Sequence, residues 1–196
     1  MNMPRTSLTH PLRVDFIDAQ SMTLPGRIGL TFAPGKKQPH SLTGSWERDL
    51  DADLERLRSH WHTDVLVSLI EEHEFTALGI ATLREQAQEH GIEVIWFPIR
   101  DVSIPTSMEE FAAMVKVTHE VLSQGKTVVI HCMGGLGRTG LVAAAILVYS
   151  TDLTPQEAIA VVRRAREGTI QTREQELFVS SFHQFVQQLR SKTDNR

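Results

Sequence analysis

His131-Cys132-Met133-Gly134-Gly135-Leu136-Gly137-Arg138-Thr139-Gly140 is the most informative stretch of the chain. Thr127 to His131, which leads into it, reads as a core strand. Leu141 to Tyr149 after it is almost wholly apolar and reads as a buried helix. The pattern is strand, glycine-rich loop, helix. Gly134, Gly135 and Gly137 allow the loop to curl tightly and take up positive φ. A curled loop that ends at a helix N-terminus points several N–H groups into one concavity, and the helix dipole favours an anion there. Arg138 adds a planar guanidinium able to grip two oxygens at once. Cys132 stands at the base of the loop, where the N–H dipoles are expected to make its thiol ionise readily. Residues Met133, Gly134, Gly135, Leu136, Gly137 and Arg138 thus form a cradle for a tetrahedral dianion, with a thiolate beneath its centre.

The chemistry such a cradle serves is nucleophilic attack on phosphorus. Cys132 would take the phosphoryl group as a phosphocysteine. Arg138 and the loop amides would stabilise charge on the equatorial oxygens. A leaving alkoxide or phenoxide needs a proton, and Asp101 is the candidate donor and later the base on water. It lies just past the run Ile92 to Ile99, a strand expected to neighbour the Cys132 strand, and ligands in such sheets bind at strand C-termini. Thr139 is expected to donate its hydroxyl to the departing thiolate, and His131 to hydrogen-bond backbone and hold the loop.

Working outward, Leu12 to Ile17, Arg27 to Phe32 and Asp64 to Ile70 read as further strands, with turns at Leu24-Pro25-Gly26 and Pro34-Gly35. Glu47 to His60 reads as a helix, with Leu50, Leu54 and Leu57, and then Trp61 just past its end, at helical spacing. Phe75 to Glu89 reads as one helix closed by Gly91, and Ser107-Met108-Glu109-Glu110 fits a capping box that opens a helix running to Ser123 and stopping at Gly125. Thr154-Pro155-Gln156-Glu157 is a capping box with proline at the first helical position. A last helix is expected from Thr172 to about Leu189. Strands alternating with helices predict an α/β layered domain. The expected organisation is a loose N-terminal segment over 1–13, a catalytic domain over 14–190 and a frayed tail over 191–196.

Composition narrows the class. The chain has 196 residues, 41% hydrophobic and 22% charged, enough apolar material for one core. With 20 Lys+Arg against 24 Asp+Glu the net charge is −4, so no positive field marks a nucleic-acid binder. The longest apolar run is too short to cross a bilayer, so no membrane is expected. Cys132 is the single cysteine, which excludes an intrachain disulfide framework. A lone thiol that must stay reduced, with no apolar leader, predicts a cytoplasmic setting.

Other motifs read as incidental. Gly135-x-Gly137-x-x-Gly140 mimics a dinucleotide fingerprint, but the acidic strand end it requires about 20 residues on falls in the helix after Pro155. His60-x-His62 lacks the companions of a metal site. Arg163-Arg164-x-Arg166 reads as a solvated helix face, or else as a steering patch for an acidic substrate.

The spacing His131-Cys132-(133–137)-Arg138-Thr139 resembles the H-C-x5-R-[ST] signature of the Cys-based protein tyrosine phosphatase superfamily. The size and the late loop resemble its dual-specificity branch, in particular the kinase-associated, cyclin-dependent kinase inhibitor 3-like type. Gly29-Leu30-(31–33)-Pro34-Gly35, Pro98-Ile99-Arg100-Asp101 and Ile170-Gln171-Thr172 are similar to that type as well. The resemblance implies a protein tyrosine phosphatase-like fold, with a central mixed sheet of about five strands flanked by helices. It implies no metal and no cofactor. It places Asp101 at the general-acid position and Gln171 where the attacking water is held. Val102-Ser103-Ile104-Pro105 departs from the glycine-rich loop expected after that acid. The implied activity is hydrolysis of phosphotyrosine and phosphoserine/threonine in a protein or peptide substrate. The alternatives are a small or lipid phosphoester substrate, or a slow phosphopeptide-binding module. A kinase partner is implied by the resemblance alone. Tyr149, the single tyrosine, lies in the apolar helix, which predicts a shallow and permissive site.

Overall fold

The structure, a computed structural model, describes residues 3–41 and 44–194. In chain order the strands are β1 (Asp15–Phe16), β2 (Arg27–Phe32), β3 (Lys37–Ser41), β4 (Gly44–Glu47), β5 (Val65–Ser68), β6 (Glu93–Trp96) and β7 (Thr127–Cys132). The helices are α1 (Leu50–Ser59), α2 (Glu72–Ala77), α3 (Leu83–Glu89), α4 (Met108–Ser123), α5 (Gly137–Ser150), α6 (Pro155–Ala165) and α7 (Arg173–Asp194). The strands form a five-stranded sheet in the order β1-β2-β7-β5-β6, with β3 and β4 as a separate ribbon. β2, β7, β5 and β6 run parallel, and β1 closes the edge antiparallel. This is the mixed sheet of a protein tyrosine phosphatase-like fold.

β7 is central and buried along its whole length, as a strand covered on both faces must be. The helix that follows it, α5, is the hub of the core. Every residue from Leu141 to Val148 is at most 1% exposed, because α5 meets β2 and β7 on one side and α4, α6 and α7 on the others. Each fully buried Leu, Ile or Val contributes roughly 1.5–3 kcal/mol. The helix that carries the loop is therefore anchored along its full length.

Several expectations need correction. The helix expected over 75–89 is two helices, because Gly79 turns the chain at φ +67° after Leu78 and lets Ile80 drop into the core. The β3–β4 ribbon went unforeseen. Of its described residues only Trp46 is buried, so there is no apolar alternation to read. Within the N-terminal segment expected to be loose, described from residue 3, the chain is tied down: Arg5 N–H donates to Ser45 O and Glu47 N–H to Arg5 O, at 2.9 and 3.1 Å. Arg48 Nη1 also donates to His10 O at 2.8 Å, and Leu12 is fully buried. At the other end α7 continues through Ser191 to Asp194, where fraying was expected, and the last two residues of that tail lie outside the described residues. The capping box at Thr154 and Glu157 forms as the sequence suggests, whereas at Ser107 the hydroxyl accepts the Glu110 N–H without the reciprocal bond.

Candidate active site

Between β7 and α5 the chain turns at residues 133–136. Gly135 takes φ +70°, and a Cβ there would stand 2.3 Å from Thr31 O of β2, so only glycine fits. Gly134 and Gly137 do not take positive φ, contrary to expectation. Gly137 serves by its lack of bulk, since a Cβ would lie 2.8 Å from Gln171 Oε1.

Arg166 holds the loop from behind. Its Nε donates to Gly135 O at 2.7 Å, its Nη2 to Gly134 O at 3.3 Å, and its Nη1 pairs with Asp15 Oδ2 at 2.6 Å. In a trans peptide the C=O and the following N–H point in opposite directions. Pulling the Gly134 and Gly135 carbonyls outward therefore turns the Gly135 and Leu136 N–H groups inward. Gly135 N–H donates to Cys132 Sγ at 3.3 Å. The N–H groups of Gly134, Leu136, Gly137 and Arg138 find no acceptor among the described residues, and no side chain caps α5. They form a donor set of the kind that binds oxyanions. Arg163 acts similarly: it donates to Thr169 O at 3.1 Å and Ile170 O at 2.8 Å, and so supports the Gln171 loop. Arg163 and Arg164 are exposed, as a solvated helix face would be, while the contacts of Arg163 and Arg166 make those two structural clamps as well.

Arg138 is 1% exposed and held in one pose. Nη1 and Nη2 reach Glu74 Oε2 and Oε1 at 2.6 and 2.9 Å, and Nη1 also donates to Ile99 O at 3.0 Å. Its Nε is buried without a hydrogen-bond partner among the described residues. Burial alone would favour the neutral guanidine, but the bond to Glu74 and the charges of Cys132, Glu74 and Asp101 keep its pKa above the ordinary value. For Glu74 burial likewise pushes the pKa up. The bonds from Arg138 and the Glu71 N–H outweigh it and hold this carboxyl below the usual range. Sequence reading missed Glu74. Glu71, Glu72 and Glu74 look alike in sequence, and only the folded α2 shows that residue 74 is the buried one.

Asp101 reaches the site by a route other than the one expected. β6 pairs with β5, not with β7. After β6 the chain crosses the end of β5, where Ile99 N–H donates to Leu69 O at 3.0 Å. That crossing sets Asp101 Oδ1 2.9 Å from Arg138 Nη2, with the carboxylate side chain 55% exposed. The next residue, Val102, sits at φ +56°, and Ile170 before Gln171 at φ +58°. Branched side chains in the left-handed region are strained, and here they flank Asp101 and Gln171. Gln175, also missed, is fully buried and joins the two loops: its Oε1 accepts from Gln171 N–H at 2.9 Å and its Nε2 donates to Ser103 O at 3.2 Å.

A cavity of about 290 Å³ collects these groups, lined by Asp101, Val102, Cys132, Arg138, Gln171 and the loop residues Met133, Gly134, Leu136 and Gly137. Thr139 departs from expectation. Its Oγ1 is buried without a partner among the described residues, so the bond to Cys132 Sγ is not made in this structure. Among the described residues no cluster of His, Cys, Asp and Glu is arranged to hold a metal.

His131 is fully buried, with Nδ1 3.3 Å from Cys132 O, which makes Nδ1 the protonated nitrogen. Burial drives its pKa down to about 4; the backbone bond and Glu74 oppose this, and Arg138 adds to it. The unfolded chain takes up this proton below about 6.5, whereas the folded chain does so only near 4. Stability is therefore full above pH 6.5 and falls as the pH drops toward 4, by roughly 3 kcal/mol in all. Denaturant unfolding between pH 7 and 4.5 should show this slope, and His131→Asn should flatten it. A wild-type stability unchanged over that range would contradict the assignment.

The sheet, the loop between β7 and α5, and the buried arginine define the class of Cys-x5-Arg phosphatase folds. The family described as "Tc-R-P: Polymorphic toxin system, DSP-PTPase phosphatase" matches residues 49–152. The chain is 31% identical over 180 residues to rat Cyclin-dependent kinase inhibitor 3, covering 88% of this chain and 79% of the relative. It therefore belongs to the dual-specificity branch of the protein tyrosine phosphatase family. It is 42% identical over 113 residues to mouse Protein tyrosine phosphatase domain-containing protein 1, of which it spans 15%. The crystal structure of kinase associated phosphatase with its catalytic cysteine replaced by serine superposes with a TM-score of 0.82 at 26% identity, covering 90% of this chain and 97% of that one.

Proposed function

We propose that the chain is a phosphoprotein phosphatase that hydrolyses phosphotyrosine and phosphoserine/threonine monoesters through a phosphocysteine intermediate. One observation carries this reading. Cys132 Sγ receives the Gly135 N–H, in the same cavity as an arginine clamped by Glu74 whose Nε remains uncommitted. The substrate phosphoryl group enters the donor set and takes Arg138 Nη2 from Asp101. Cys132 Sγ attacks phosphorus as the bond to the ester oxygen breaks, and Asp101, which takes up a proton from solvent once it is displaced from Arg138, hands that proton to the oxygen. Asp101 then takes a proton from a water placed by Gln171. The water oxygen bonds to phosphorus, the S–P bond breaks, and the thiolate and inorganic phosphate are released. The likeness to rat Cyclin-dependent kinase inhibitor 3 supports a phosphoprotein substrate, with a phosphorylated kinase among the candidates.

Phosphate release from phosphotyrosine, phosphoserine and phosphothreonine peptides tests the proposal. Phosphoinositides and nucleotides serve as comparison substrates. Wild type should act on the peptides. Asp101→Asn should lose about 10²–10³ in kcat, consistent with loss of a positioned acid. Its affinity for inorganic phosphate should not fall, because the side chain that competes for Arg138 has lost its charge. Turnover of lipids or nucleotides without any peptide turnover would overturn the proposal.

A further inference from the structure

Lys36 is a buried cation to which the reaction above gives no part. It lies on the turn after β2 and is 4% exposed. Its Nζ stands 4.9 Å from the centre of the Phe32 ring and 4.7 Å from that of Trp46, two rings 5.2 Å apart. Arg48 shares both rings, but its charge is met by Asp53, bound through Nε and Nη2 at 2.7 Å each. Asp53 also accepts the Gly35 N–H at 2.8 Å, so that carboxylate is committed. Arg166, the other cation near Lys36, is paired with Asp15. No ion pair among the described residues includes Lys36.

The turn that carries Lys36 runs along the base of the loop. Phe32 is the in-register neighbour of Cys132 across the β2–β7 pairing. Ala33 N–H donates to Met133 O at 3.3 Å, Lys36 N–H to Ala33 O at 3.4 Å, and Gln38 Nε2 to Met133 Sδ at 3.8 Å. A cation out of water, with no carboxylate, is costly unless an anion lies nearby. Of the groups near the ammonium, Arg48 and Arg166 disfavour its charge, and the Cys132 sulfur, on the register neighbour of Phe32, is the one that favours it among the described residues.

We propose that Lys36 is a positioning residue whose buried ammonium is the counter-charge of the Cys132 thiolate, holding the sulfur anionic from the β2 side of the loop. This rests on the reading of Cys132 as nucleophile. The groups around the ammonium agree with the geometry: burial and Arg48 bring its pKa down to about 8, Cys132 opposes them, and Arg166 adds to the lowering. The ammonium form therefore prevails at neutral pH and is lost in mild alkali. The Phe32 and Trp46 rings hold the charge in place without neutralising it.

Alkylation by iodoacetamide tests this directly, because Cys132 is the single cysteine of the chain and each adduct counts it alone. On the acid side of the rate–pH profile, Lys36→Met should alkylate about tenfold more slowly than wild type, with the same alkaline plateau. Lys36→Arg should stay within about threefold of wild type. A Lys36→Met profile that superimposes on wild type overturns the proposal. If Lys36→Met fails to fold, the reciprocal coupling is read in Cys132→Ser. There the Lys36 ¹³Cε resonance should titrate at lower pH than in wild type, and an unmoved titration overturns the proposal. The alkylation readout needs no phosphoester. Shifted alkylation without peptide hydrolysis would sink the phosphatase reading alone; hydrolysis with unshifted alkylation would sink the Lys36 assignment alone.

Discussion

Cys132→Ser should lower kcat on phosphopeptides by about 10⁴-fold or more while leaving their binding intact. A serine hydroxyl needs a base to make it nucleophilic, and none is placed to act. His131 is fully buried, and its protonated Nδ1 faces the Cys132 carbonyl. Asp101, paired with Arg138 until the phosphoryl group displaces it, carries in that first step the proton meant for the leaving oxygen and so is no base for the serine. What surrounds residue 132 is a set of N–H donors, which favours an existing anion but removes no proton from a hydroxyl. The same donors, with Arg138, still receive a phosphoryl group, so the variant should retain phosphopeptide as a stable complex. Single-turnover phosphate release together with calorimetric binding measures both effects. Turnover within tenfold of wild type would eliminate the phosphocysteine route.

Arg138→Lys should cost about 10³-fold in kcat/KM despite preserving the charge. The guanidinium makes its contacts as a planar fork: two bonds to Glu74, one to Ile99 O and one to Asp101, with Nε left over. An ammonium is a single point on a flexible stem. It can answer Glu74 or a phosphoryl oxygen, but it cannot bridge both while also holding the Ile99 carbonyl. The loss should therefore fall mainly on kcat, where charge builds up on the equatorial oxygens, with KM less affected. Glu74 keeps Arg138 from adapting, since a buried two-point ion pair fixes both the height and the tilt of the guanidinium. Steady-state kinetics on an aryl phosphate give the split. A change confined to KM would show that Arg138 binds ground state and transition state alike.

The loop was legible in the chain because its determinants are local. A strand, three glycines, an arginine and an apolar helix within about twenty residues are sufficient to build an N–H cradle. Most strands and helices were legible for the same reason, since burial stamps periods on short segments. The split of 75–89 escaped because Gly79 next to Ile80 reads equally as a helical residue or as a turn. The ribbon escaped because its described residues bury little, and the tied-down N-terminus because its bonds run to β4 and Arg48.

The residues that complete the site were decided by tertiary structure alone. Glu74 meets Arg138 across 64 positions, Gln175 meets Ser103 across 72, and Arg166 meets Asp15 across 151. None of these pairs carries a local spacing that could announce it. The crossing of β5 that delivers Asp101, and the pairing of β2 with β7 that brings the turn carrying Lys36 along the base of the loop, depend on strand order, a property of the whole sheet. The amino-acid sequence alone determined that the loop presents N–H donors to one concavity, because backbone conformation and helix ends are local physics. Folding decided which charges are buried against one another, because desolvation and ion pairing depend on distance in space and not along the chain.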